Sequence, residues 1–392
     1  MRVRVQAAAV VLAAAAVLGA CGSDDPEASP STTEAAPGTT VPQVVLDAGT
    51  EATLQSTFES AFQATGMPGA AVFVSIGDDE WTSVLGVDDL ATNAPFDPGA
   101  HTRIASITKT FTASAVLHLV KEGKVSLDDT LDEYVTGIAN GDQITVRDML
   151  GMRSGVWDFT SDEDLVARFD ADPTMPWTVD QTIELIRQHE PAFAPGEKVV
   201  YADSNYVLLG EVIEKAAGST ADGYIRSNVI EALGLDDTNF PIPDETGVPE
   251  PAVTGYLPPP DGSTAAPTVV GAINPQFAWT AGNMTSTLDD LVVWARELSD
   301  GSLLTPALQA ERLDSRKIDG QKLNLGYGLG VTTLNDLVWH DGAIIGYSTV
   351  VMRYPQADAT IVVIGNQSTN FTTPTAEIAL SFIQQLYPDQ IH

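Results

Sequence analysis

Apolar residues along the chain fall into two rhythms, and their order sketches a fold. In LQSTFESAFQAT, Leu54, Phe58, Ala61 and Phe62 recur at helical spacing, and Gly66 and Pro68 end the pattern. AAVFVSI, GDDE and WTSVLGV then read as a β-hairpin. Helical spacing takes over in the middle, at 107–122, 179–188, 204–217, 222–232 and 287–298. In the last of these Thr287 is placed to cap, and Leu291, Trp294, Ala295 and Leu298 make one face. Strand patterns return in YGLGVTTL, STVVMRY and TIVVIGNQ, and TAEIALSFIQQLY predicts a closing helix. Strands toward both ends around a helical middle predict an α+β fold. One antiparallel sheet is built from both chain ends and flanked by helices, with a mostly helical subdomain inserted at about 107–300. Residues 241–281 contain LPPPDG and little periodicity, and a loop of that length is expected to be functional or mobile.

The first 43 residues do not share these rhythms. MRVRVQ carries Arg2 and Arg4, and Ala7 to Leu18 is apolar and made of small residues, the layout of a signal peptide over residues 1–20. It ends in LGAC, and small residues ahead of a cysteine in that position resemble the bacterial lipoprotein box. The expectation is that Cys21 is lipidated, that residues 21–43 form a flexible tether rich in Ser, Thr, Pro and acids, and that the folded domain runs from 44 to 390. The protein is then expected to be exported and held by its lipid on the outer face of the bacterial cell membrane. A plain secretory signal with an incidental cysteine is the alternative.

Composition narrows the partners. The 392 residues include 53 Asp+Glu against 19 Lys+Arg, a formal charge of −34, which opposes nucleic acid at long range. Cys21 is the only cysteine, so the core holds without an intramolecular disulfide. Hydrophobic residues make up 44% of the chain, ample for such a core. The remaining histidines, His101, His118, His189 and His392, have no metal-ligand spacing, and no metal or cofactor is expected.

The chemistry centres on RIASITKTFTA. Ser106-Ile-Thr-Lys109 opens a run in which Phe111, Ala115 and Leu119 recur at helical spacing. Serine and lysine three residues apart share a helix face, and a helix start offers free N–H groups to a developing oxyanion. Alone, the match also fits an ordinary helix cap and a solvated lysine. Two further pieces follow: Tyr201-Ala-Asp203, ahead of an amphipathic helix, and His340-Asp341-Gly342, where a strand pattern begins.

Together these residues resemble the penicillin-recognising serine hydrolases, whose motifs run Ser-x-x-Lys, Tyr-x-Asn and then His-x-Gly or Lys-Thr-Gly. The likeness is nearer to D-alanyl-D-alanine carboxypeptidases and class C β-lactamases. MPGAAVFV, SLDDTLDEY, ITVRDMLGMRSGV and YADSNYVLLG extend it over about residues 50–385. The resemblance implies that Ser106 attacks a carbonyl, that Lys109 and Tyr201 carry its proton, and that the N–H groups of Ser106 and Ala343 hold the oxyanion. It places Asp203, His340, Asp341 and Gly342 against a small-molecule or peptidoglycan-type peptide or ester substrate, His340 as donor or charge. Two residues depart from the pattern. Asp203 replaces an amide donor, and Asp341 stands where a hydroxyl commonly meets a substrate carboxylate. An esterase acting on neutral esters, or an inactive cell-wall-binding relative, are therefore the alternatives. Oligomeric state is not legible.

Overall fold

The computed structural model describes residues 43–259, 265–319, 323–369 and 372–391. The expected signal segment, Cys21 and nearly all of the tether lie outside the described residues.

The expected hairpin forms, from β1 (Gly69–Ile76) and β2 (Asp79–Asp89), extended by the short β3 (Ala94–Pro95). The other strands come from the far end of the chain: β4 (Arg316–Lys317), β5 (Leu325–Tyr327), β6 (Thr332–Leu334), β7 (Leu337–Ile344), β8 (Tyr347–Tyr354) and β9 (Ala359–Gly365). They make one sheet in the order β3-β2-β1-β9-β8-β7-β6-β5-β4. Neighbours are antiparallel throughout. The two ends of the chain meet inside the sheet, where β1 pairs with β9 from Ala70↔Gly365 to Ile76↔Ala359.

Every residue of β8 and β9 is buried, so both faces of the sheet are covered there. The first helix, Ala48–Thr65, packs on the last, Pro374–Leu386, and the latter on β8 and β9. Helix Leu288–Asp300, capped by Thr287 as expected, packs on β1, β8 and β9. Its Trp294 stacks on Phe111 with ring centroids 3.7 Å apart. That contact joins the sheet to helix Thr108–Lys121, buried without interruption from Thr108 to Leu117 and packed in turn against helix Asp203–Ala217.

The structure changes several details. YGLGVTTL is not one strand: β5 and β6 are separated by a turn in which Gly328 N–H bonds Val331 C=O at 2.8 Å and Gly330 has φ 85°. Few side chains tolerate that left-handed backbone, which is why the run breaks at its glycines. His340 lies in the body of β7 rather than at its start. The pattern at 222–232 divides into helix Ala221–Ile225, a π turn Arg226–Ile230 and helix Glu231–Leu233. The described part of 241–281 is ordered by a small hairpin, Gly255–Leu257 with Thr268–Val270, and helix Pro275–Ala278. Helices Glu163–Ala171 and Pro306–Leu313 carry no expectation from the sequence.

Candidate active site

Ser106 sits in a single 3-10 turn, Ala105–Ile107, from which helix Thr108–Lys121 continues. Ala105 has φ 45°, a strained value for a residue with a side chain, and strain of this kind collects where surrounding packing fixes the backbone. The packing is visible. A Cβ added to Gly342 would stand 2.2 Å from the carbonyl oxygen of Ile104, so β7 approaches the serine turn more closely than a larger residue permits. Gly342 thus lets β7 lie along this turn. Ala343, the next residue, is partly exposed beside it.

Lys109 is fully buried. Its Nζ donates to Ser106 Oγ at 2.9 Å and to the Ala281 carbonyl at 2.7 Å, and pairs with Asp203 Oδ1 at 2.5 Å. The three donors of an ammonium are thereby engaged. Nζ also lies 5.0 Å from the ring centroid of Tyr201 and 5.9 Å from that of Tyr206. Asp203, the first residue of helix Asp203–Ala217, turns its carboxylate to the lysine.

Tyr201 is half-buried, its ring beside the Lys109 ammonium. Burial, then the charge of Asp203, holds its hydroxyl well above the ordinary tyrosine range, so it is a neutral phenol at neutral pH. Its ring meets Tyr327 and His340 at centroid distances of 6.2 and 6.4 Å.

His340 is buried, and burial, with Lys109 second, pushes its imidazole down to about 3. It is neutral at physiological pH and supplies no charge. Nδ1 is 2.7 Å from the Asp341 carbonyl, and a carbonyl only accepts, so Nδ1 carries the proton. Nε2 is then the acceptor for the Tyr327 hydroxyl at 3.2 Å. Both ring nitrogens are occupied within the protein. Asp341 is partly buried, and burial raises its carboxyl to about 6.

The sequence motifs therefore converge: Ser106, Lys109, Tyr201, Asp203 and His340 gather at one place, with Gly342 beside them. Reading the sequence missed Asp158, whose carboxylate accepts from the Asp203 N–H at 3.1 Å, Tyr327 on His340, and the Ala281 carbonyl on Lys109. Asp158 follows directly on RSGVW, and only its acidity next to a Gly turn could have drawn notice.

A serine held by a buried lysine, between a strand edge and an inserted helical region, is set in a β-lactamase/transpeptidase-like fold. The Beta-lactamase family model matches residues 54–383, and the chain belongs to that family. A D-stereospecific amidohydrolase from Streptomyces sp. has a similar structure, at a TM-score of 0.75 and 29% identity, covering 86% of this chain and 98% of that one. Protein flp of Staphylococcus aureus (strain NCTC 8325 / PS 47) is 26% identical over 338 residues, 83% of this chain but 64% of flp. A D-aminopeptidase of Brucella anthropi is 27% identical over 293 residues, 71% of this chain and 52% of that protein. The chain thus spans less than two thirds of the length of these curated relatives.

Proposed function

We propose that the protein hydrolyses amides or esters of D-configured amino acids through an acyl-serine intermediate. The observation that carries this is Lys109 Nζ, buried and 2.9 Å from Ser106 Oγ. In this reading Ser106 attacks the carbonyl, and its proton leaves through the Lys109–Tyr201 network. The N–H groups of Ser106 and Ala343 receive the oxyanion, and water releases the acyl group.

The charges favour one class of substrate. Asp158, Asp203 and Asp341 act on a site whose cation, Lys109, is already paired. A substrate carboxylate 4 Å from one ionised Asp would be repelled by about 4 kcal/mol at an effective dielectric of 20, whereas a free α-ammonium would be attracted. D-amino-acid amides and short peptides with a free amine therefore suit the site better than penicillins or a C-terminal D-alanyl-D-alanine. The names of the amidohydrolase and the D-aminopeptidase support that choice. Neutral short esters are the second class, since the same carboxylates do not repel them.

The test is an activity panel of D-amino-acid amides, a D-Ala-D-Ala peptide, a chromogenic cephalosporin and p-nitrophenyl esters, run on wild type and Ser106→Ala. Amides and esters should lead, and Ser106→Ala should lose all activity. A kcat/KM highest on the D-Ala-D-Ala peptide would overturn the substrate reading, and activity surviving in Ser106→Ala would overturn the nucleophile.

We also propose the lipid anchor on Cys21, supported by LGAC and the tether composition behind it. Cys21→Ser should move the protein from membrane to soluble fractions; equal membrane association of the two would refute the anchor.

A further inference from the structure

The segment Ser154–Phe159 is clasped to the head of helix Asp203–Ala217 at three consecutive residues. Asp158 Oδ1 accepts from Asp203 N–H at 3.1 Å, Phe159 N–H donates to Ser204 Oγ at 2.9 Å, and Ser154 Oγ donates to Asn205 Oδ1 at 2.5 Å. The helix has no side-chain cap of its own, because Ala202 occupies the N-cap position. Asp158 supplies from a distant loop the acceptor that a capping residue would otherwise provide. Thr160 steadies its other oxygen, with Thr160 Oγ1 donating to Oδ2 at 2.6 Å. The first residue of this helix is Asp203, which holds Lys109.

We propose that Asp158 is a positioning residue for the reaction: it sets Asp203 against Lys109 and, with Asp203, forms an acid pair that takes up the lysine proton. This rests on the reading of Ser106 as nucleophile. Lys109 must be a neutral amine to accept the serine proton, yet it is ion-paired with Asp203. A proton crossing the 2.5 Å contact leaves a neutral amine and a neutral acid. The amine then takes the Ser106 hydroxyl proton as Oγ bonds the carbonyl carbon and the C=O electron pair moves to oxygen. On collapse the C–N bond breaks, Lys109 protonates the leaving amine, and Asp203 returns its proton to Lys109. Protons and charge balance over the acylation step, and no co-reactant is needed.

Asp158 controls the first of these transfers. Burial first, and the neighbouring charge of Asp203 second, raise its carboxyl to about 7. The charged groups acting on it are Asp203 from its helix and Lys109 from helix Thr108–Lys121, and Thr160 acts from its own turn. When Asp158 is ionised, a second negative charge stands beside the Lys109–Asp203 contact; when it is neutral, that charge is gone. Activation of Ser106 should therefore rise with pH through neutrality.

The experiment measures the rate at which a fluorophosphonate labels Ser106, read by intact mass, from pH 5.5 to 8.5. Wild type should label about tenfold faster at pH 8 than at pH 6, as for one controlling ionisation near 7. Asp158→Asn keeps an oxygen for the Asp203 N–H, so it should fold and flatten the change to under about twofold. Asp203→Asn should flatten the same limb, which keeps the test decisive if Asp158→Asn does not fold. A profile for Asp158→Asn parallel to wild type and lower by a constant factor would mark a structural role only and overturn the inference, as would a flat wild-type profile. Absence of any label on wild-type Ser106 would overturn the proposed function as well.

Discussion

His340 is one residue whose burial has a consequence away from chemistry. Its imidazole is held down to about 3 from an ordinary 6.5, mainly by burial, so the unfolded chain binds its proton more readily than the folded one. Its contribution to stability is complete above pH 6.5 and is lost as pH falls toward about 3. Asp341 and Asp158 run the other way. Raised to about 6 and about 7 from 3.8, they favour the fold fully below the ordinary value and lose that contribution as pH rises through the raised ones. A single substitution separates the two signs. Above pH 7, His340→Gln should be less stable than wild type in urea unfolding. That difference should shrink by roughly 3 kcal/mol on going to pH 4, since a tenfold difference in proton affinity between folded and unfolded chains is worth about 1.4 kcal/mol. A difference that stays constant with pH would mean that His340 is not the buried neutral group described.

Among the elements, β7 and the serine turn act as one part, and Gly342 is what lets them. A methyl group there would lie 2.2 Å from a backbone oxygen, which cannot swing aside as a flexible side chain can. Gly342→Ala should cost about 1–3 kcal/mol of stability through overpacking. By moving β7 off Ser106 it should also slow fluorophosphonate labelling at least about tenfold, about 1.4 kcal/mol in barrier. Unchanged labelling in a folded Gly342→Ala would show that the spacing between strand and turn does not govern the nucleophile. The sequence announced this meeting only in part. Ser106-x-x-Lys109 was legible because one helical turn carries both groups, and the strands because their apolar runs are local. Asp158, Tyr327 and the Ala281 carbonyl were not, because each reaches the site from a separate segment, and no short-range pattern records that convergence. Asp203 was legible as a departure from an amide, but its partner was not. Only folding brings the head of its helix to the lysine at 2.5 Å.

For the whole molecule, the formal charge of −34 opposes anionic partners at long range. The pairing of β1 with β9 bears on something else, the order in which the protein can come into being. Ala70 finds its partner only when Gly365 exists. As the chain lengthens from its N-terminus, β2 can cover one edge of β1 at once, but the other edge stays open until almost all of the remaining residues have been made. That edge belongs to GAAVFVSI, a run without charge or proline and with every residue but the last buried in the finished sheet. Such a run, unpaired, is a template for pairing with other chains. The seam between β1 and β9 is therefore also a point at which an unfinished copy of this protein is prone to aggregate, and closing it is a late event however quickly the local helices form.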